Sequence, residues 1–208
     1  MTMMEVRMRS VGSWEMNAYV LVCPTSRASV LIDPGDEPEV LLQLLAGTQP
    51  VAILITHTHS DHIDALDVIR ARLGLPVLAS GGPYYDNFPL KADRILKDGD
   101  TIQVGHYTLR VYHTPGHCAD TLSFSVVGTP TMIVGDTIFP GGPGDTANPE
   151  DFQVTLATLR DGVLSWPDDT ICYPGHGQSF RLGDERRAIE AFIKRDHGRF
   201  FGDATWDM

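Results

Sequence analysis

The chain has 208 residues, 22.8 kDa and 42% hydrophobic residues, enough to fill one sizeable core, so a single domain spanning residues 1–208 is expected. A formal charge of −11 excludes a protein whose main task is to grip phosphate backbones, since that grip comes from Lys and Arg; no nucleic-acid partner is expected. No apolar run approaches membrane-spanning length, and Met1–Ser10 alternates Met with charge and lacks a leader's apolar run and cleavage site.

Three widely spaced cysteines, Cys23, Cys118 and Cys172, give no disulfide framework and read as small buried apolar residues. With no membrane partner expected either, these features predict a reducing, cytoplasmic location.

In chain order, Met16–Cys23 and Ala28–Ile32 are apolar and β-branched runs around the turn Pro24-Thr25-Ser26-Arg27, which predicts an antiparallel hairpin. Val11–Glu15 reads as a tight connection. Its Trp14 is expected to pack into the core, with a lid above a site as the alternative. Asp33-Pro34-Gly35-Asp36 ends a strand, and Asp33 reads equally as a turn former and as a carboxylate that orients a ligand histidine. Leucines at helical spacing predict a helix over Glu39–Ala46, stopped by Gly47. Val51–Ile55 is a β-run, Ile63–Leu73 a helix with Ser60 or Asp61 placed to cap it, and Leu75–Ala79 a strand, which together give an α/β organisation. In the loop Gly81–Pro89, Tyr84, Tyr85 and Phe88 are suited to packing on their own domain or to lining a cleft.

From Ile95 onward the texture is that of a β-meander: Thr101–Val104, Tyr107–Tyr112, Thr121–Val127 and Thr131–Val134 are short strands punctuated by Gly, Asp or Pro. Phe139–Pro149 is too rich in Gly and Pro for regular structure and is the best candidate for a substrate loop. Glu150–Leu164 predicts a helix started near Asn148 and Pro149, Thr170–Tyr173 a last strand, and Asp184–Arg195 a final amphipathic helix. The tail carries Phe201 and Trp206, suited to docking on the core or on a second copy of the chain in a homodimer.

The chemistry concentrates in Thr56-His57-Thr58-His59-Ser60-Asp61-His62, where a β-run gives way to a helical segment. Imidazole and carboxylate suit zinc, iron and manganese, and a strand end holds them rigidly, so His57, His59, Asp61 and His62 are metal-ligand candidates. Each of His117, Asp136 and His176 also stands at the end of a β-run beside Gly or a Pro-Gly pair. Seven donors from four segments are the number that two metals need. His106, His113 and His197 complete no ligand set, and Cys118, although adjacent to His117, is expected to point elsewhere.

The order His57-x-His59-x-Asp61-His62, His117, Asp136, His176 resembles the metallo-β-lactamase fold superfamily, over nearly the whole chain. The resemblance implies a four-layer αβ/βα sandwich, two mixed β-sheets flanked by helices, with metals along one edge. It further implies that His57, His59 and His117 hold one metal, that Asp61, His62 and His176 hold the other, and that Asp136 bridges them. An Asp at position 136, where the lactamases proper use Cys, is similar to the glyoxalase II-like, hydroxyacylglutathione hydrolase-like branch. The expected cofactors are two divalent ions, Zn2+ first, with Fe or Mn as alternatives.

Two divalent ions against Asp61, Asp136 and one hydroxide leave a net charge of about +1 to receive an anionic substrate group or a developing oxyanion, and bound water would ionise near pH about 7. The expected activity is hydrolysis of a small-molecule thioester, ester or lactone by metal-bound hydroxide, with Asp61 as proton shuttle. Glutathione recognition does not carry over, because Phe139–Pro149 holds no Lys or Arg and the chain after His176 is short for the helical extension of those enzymes. The alternatives are a mononuclear iron persulfide dioxygenase on His57, His117 and Asp136, and a non-catalytic binding member of the fold.

Overall fold

A computed structural model describes residues 3–208; Met1 and Thr2, the start of the segment read above for a leader, lie outside the described residues. Fourteen strands and five α-helices follow in the order β1 (Glu5–Val11), β2 (Met16–Val22), β3 (Ala28–Ile32), α1 (Pro38–Leu44), β4 (Gln49–Leu54), α2 (Ser60–Ile63), α3 (Leu66–Leu73), β5 (Val77–Ser80), β6 (Arg94–Leu96), β7 (Thr101–Val104), β8 (Tyr107–His113), β9 (Leu122–Val126), β10 (Thr131–Gly135), β11 (Ile138–Phe139), β12 (Gly142–Pro143), α4 (Pro149–Ala157), β13 (Ile171–Pro174), β14 (Phe180–Arg181) and α5 (Leu182–Phe192). One six-stranded sheet runs β1-β2-β3-β4-β5-β6 and the other β14-β13-β10-β9-β8-β7. Both are mixed: β1-β2-β3 pair antiparallel and β3 to β6 parallel, while β10 pairs parallel with β13 in an otherwise antiparallel sheet.

The strands' alternation makes the layers. In β2, Tyr19 and Leu21 face the core between the sheets, whereas Ala18, Val20 and Val22 face the outer core shared with Leu41 and Ile69 of the helices. In the second sheet Phe124 and Ile133 face inward, while Met132 and Val134 pack outward against Phe152 of α4 and Ile189 and Phe192 of α5. The product is helix, sheet, sheet, helix, the expected sandwich of two mixed sheets flanked by helices. Each apolar face is covered once, which is why strands such as β2 are buried along their whole length.

Several local expectations are corrected. β1 and β6 are strands that the sequence pattern did not predict; β1 is a sheet edge carrying Glu5, Arg7 and Arg9, a charged composition that protects an open edge. The segment Ile63–Leu73 is not one helix. It breaks at Asp64–Ala65, where the Ala65 N–H donates to the carbonyls of Pro34 and Gly35. Neither Ser60 nor Asp61 caps: the cap residue is His59 in an extended conformation, and Asp61 in the first turn turns its carboxylate to His176. Asn148 does cap α4, accepting from the Asp151 N–H at 2.9 Å, but after Ala157 the helix widens into a π-turn and then tightens into a 3₁₀ turn. The loop after Asp136 contains the small hairpin β11-β12. Trp206 docks on Phe192, while Phe201 stays exposed.

Candidate metal centre

Asp33, Thr56, Asp136 and His176 follow the C-terminal ends of strands that pair in parallel, β3, β4, β10 and β13, and the β8–β9 connection brings His117 alongside. Ligand clefts in open α/β sheets form at such ends. The two sheets are tied together there: the Leu122 N–H donates to the Thr56 carbonyl at 2.8 Å, and the Asn17 N–H to the Gly175 carbonyl at 2.7 Å. Gly175 is required for the approach of the last loop. A Cβ on it would lie 2.0 Å from Asp136 Oδ1 and 2.6 Å from His62 Cε1.

All seven predicted donors converge. His59 Nδ1 lies 3.1 Å from His57 Nε2 and 2.8 Å from His117 Nε2. On the other side, His176 Nε2 lies 3.2 Å from Asp61 Oδ2, and His62 Nε2 lies 3.8 Å from the same oxygen. Asp136 stands between the groups, with Oδ1 3.5 Å from His62 Nε2 and Oδ2 3.7 Å from His117 Nε2 and 3.6 Å from His176 Nε2.

The five imidazoles are held from behind. The Thr56 hydroxyl donates to Asp33 Oδ2 at 2.6 Å, so its oxygen accepts from His57 Nδ1 at 3.0 Å. His62 Nδ1 donates to Asp33 Oδ2 at 2.9 Å, His117 Nδ1 to the Asp145 carbonyl at 2.8 Å, and His176 Nδ1 to the Trp14 carbonyl at 3.0 Å. His59 is reversed: Nδ1 faces inward and Nε2 faces Cys118 Sγ at 3.5 Å. For His57, His62, His117 and His176 the ring proton is thereby placed on the outer nitrogen, leaving four lone pairs aimed at one small volume beside His59 Nδ1. Two atoms there, His62 Nε2 and Asp136 Oδ1, are buried and have no hydrogen-bond partner. A cation satisfies both at once, and the donor set of imidazoles and carboxylates fits a divalent metal.

Electrostatics agree. Burial depresses His57 well below the ordinary histidine range, and burial followed by the neighbouring His117 lowers His59 to about 4, so both are neutral as ligands must be. Burial also opposes charge on His62, but Asp136 and Asp33 outweigh it and push that group up to about 10. Burial alone would raise Asp136; His62, His57 and His117 instead hold it far below the carboxylate range. Without a cation, a proton on His62 meets the carboxylates' demand for positive charge.

Asp33 plays both of its candidate roles. It sits in the left-handed region at φ 53°, ends its strand, and accepts three buried hydrogen bonds. Trp14 is 75% exposed and does not pack in the core, because its tight turn spends the backbone carbonyl on His176. Cys23 and Cys172 are buried as expected, but Cys118 is corrected: its thiol, also buried, faces His59 and lies with His57, His59 and His117 in one group of candidate donors. Of the loop aromatics, Tyr84 bonds its own loop through the Ser80 carbonyl, whereas the Tyr85 ring stands edge-on to His59 at 4.1 Å. Sequence reasoning missed Thr58 and Asp120: the Tyr85 N–H donates to Thr58 Oγ1, which donates to Asp120 Oδ2, both at 2.8 Å. His113 and His197 stay outside the centre, the first against the Ala119 carbonyl and the second among Phe152 and Phe192.

Known proteins share this arrangement of chain. The Probable metallo-hydrolase YqgX of Bacillus subtilis is 31% identical over 84% of this chain and 90% of its own length. A Hydroxyacylglutathione hydrolase of Polaromonas sp. is 33% identical over 78% of this chain, which spans 64% of that enzyme. Among solved structures, TTHA1623 in a di-iron-bound form superposes with a TM-score of 0.74 at 32% identity, covering 87% of this chain and 97% of that one. The family profile described as Metallo-beta-lactamase superfamily matches residues 13–176, a span that includes every converging donor, and the chain belongs to that superfamily.

Proposed function

We propose that the protein is a metal-dependent hydrolase of a small thioester, ester or lactone, with His57, His59 and His117 holding one divalent ion, Asp61, His62 and His176 a second, and Asp136 shared. The observation that carries this reading is the set of outer hydrogen bonds that aims the lone pairs of His57, His62, His117 and His176 inward, beside His59, around two carboxylates. When bound, such ions supply water ionised near neutral pH and a Lewis acid for the substrate carbonyl. Zinc suits the donors best; the di-iron form of a structural relative supports two-metal occupancy and keeps iron as the alternative.

The chain's own residues do the rest. Asp33 and Thr56 hold the tautomers of His57 and His62. Burial alone would raise Asp61, but its hydrogen bond with His176 outweighs this and keeps it below the ordinary carboxylate value, so it is ionised at neutral pH. Half-buried, it is placed to take a proton at Oδ2 from the attacking water and return it to the leaving group. A persulfide dioxygenase holding one iron on His57, His117 and Asp136 is the second reading. The complete group of Asp61, His62 and His176 favours two ions over one.

The test is metal identity and stoichiometry per chain on protein purified without added metal, run beside a panel of thioesters, esters and lactones. About two ions per chain with carbonyl hydrolysis is the expected result. One iron with oxygen uptake on glutathione persulfide would replace this reading by the second.

A further inference from the structure

The mouth of the centre is aromatic and acidic. Tyr85 stands 4.1 Å from the His59 ring at one end, and Phe139 stands 6.4 Å from the His176 ring at the other. Trp14, whose carbonyl holds His176, turns its indole to solvent at 75% exposure, and Tyr85 is 51% exposed. Tyr85 is also fixed in place, through its backbone bond to Thr58 and Asp120. The segments that carry these rings, Val11–Glu15, Tyr84–Phe88 and Phe139–Pro149, contain no Lys or Arg but do contain Glu15, Asp86 and Asp145. On these three segments an anionic leaving group would therefore meet acidic side chains and no Lys or Arg, whereas an uncharged apolar or aromatic acyl group gains ring contacts.

We infer that the site takes uncharged thioesters with an apolar or aromatic acyl group, and discriminates against the same acyl group carried on glutathione. This rests on the hydrolase reading above. Water adds to the acyl carbon, the carbon–sulfur bond breaks, and the products are the carboxylate, the free thiol and one proton; no oxidant or second substrate is consumed.

The experiment compares S-benzoyl-N-acetylcysteamine, which is uncharged, with S-benzoylglutathione on the metal-loaded protein. The uncharged ester should show kcat/KM higher by about tenfold, and Tyr85→Ala should lower kcat/KM for a benzoyl thioester about tenfold more than for the matching acetyl thioester. A binding readout accompanies turnover. Trp166 and Trp206 are 4% and 6% exposed, so acrylamide quenching of fluorescence reports mainly on Trp14. The uncharged thioether S-benzyl-N-acetylcysteamine should protect it, and Trp14→Phe should remove the signal. Equal or faster turnover of the glutathione ester, or an unprotected Trp14, overturns the inference while leaving hydrolysis standing. Turnover of neither ester, with no protection, overturns both.

Discussion

Replacing Asp33 by asparagine changes one atom's hydrogen-bonding character and should empty the centre without unfolding the chain. In the native protein Asp33 Oδ1 accepts from the Thr56 N–H at 2.7 Å, while Oδ2 accepts from the Thr56 hydroxyl at 2.6 Å and from His62 Nδ1 at 2.9 Å. An amide nitrogen in place of Oδ2 donates instead. His62 Nδ1 must then accept, which moves its proton to Nε2; the Thr56 hydroxyl is turned to donate to His57 Nδ1, which moves that proton to Nε2 as well. Two lone pairs that faced the site become N–H groups. The Thr56 N–H bond to Oδ1 is kept and the two bonds at Oδ2 survive in reversed sense, so the stability loss should stay near 1 kcal/mol, while metal affinity should fall by at least the ~10–100-fold that loss of an outer partner costs.

Asp33→Ala is the contrasting variant. It leaves three buried donors unpaired at about 1–3 kcal/mol each, a sum comparable with the whole ~5–15 kcal/mol stability of a domain. Metal affinity by competition with a chromophoric chelator, thermal unfolding with and without metal, and the 15N shifts of the histidine rings read the three effects separately. Wild-type metal affinity in Asp33→Asn would refute the account of the tautomers.

Other outcomes follow from the same geometry. Cys118→Ala removes the partner of His59 Nε2 and should weaken metal binding by about 10–100-fold, whereas Cys118→Ser, which keeps an acceptor, should retain most of it; metal titration of both variants decides. Asp61→Asn should lower kcat with the fold intact; if both metals and full turnover persisted, Asp61 would have no part in proton transfer. For the metal-free protein, stability should peak near neutral pH. His59 is lowered from 6.5 to about 4, so the unfolded chain binds the extra proton between these values and stability is lost as pH falls through that window. His62 is raised from 6.5 to about 10, so its contribution is full below 6.5 and is lost as pH rises through 10. Thermal midpoints across pH 4 to 10 on chelator-treated protein are the check: a steady rise would contradict the His62 assignment and a steady fall the His59 assignment.

The donors were legible in sequence because each stands at the end of an apolar run, where residue type alone announces the chemistry. Strands that are continuous apolar and β-branched runs, such as β2 and β3, were legible for the same local reason. β1 was missed although its Glu5, Arg7 and Arg9 alternate with Val6 and Met8 as in an edge strand, and β6, with three residues, is too short to carry a period. The break between α2 and α3 depends on carbonyls of Pro34 and Gly35, about 30 positions upstream, which no local spacing reveals. Cys118 and Tyr85 became parts of the centre only through approach in space, as did the carbonyls of Trp14 and Asp145, which have no sequence signature because every residue has one.

Those two carbonyls carry a consequence for how such a protein can change. His176 and His117 are aimed by main-chain atoms of residues whose side chains lie elsewhere, so the letters at positions 14 and 145 are free of any duty to the metals. Trp14 can be exchanged for another side chain while its carbonyl goes on holding His176. A lineage can therefore rewrite what the entrance admits, one substitution at a time, without passing through forms that have lost their chemistry.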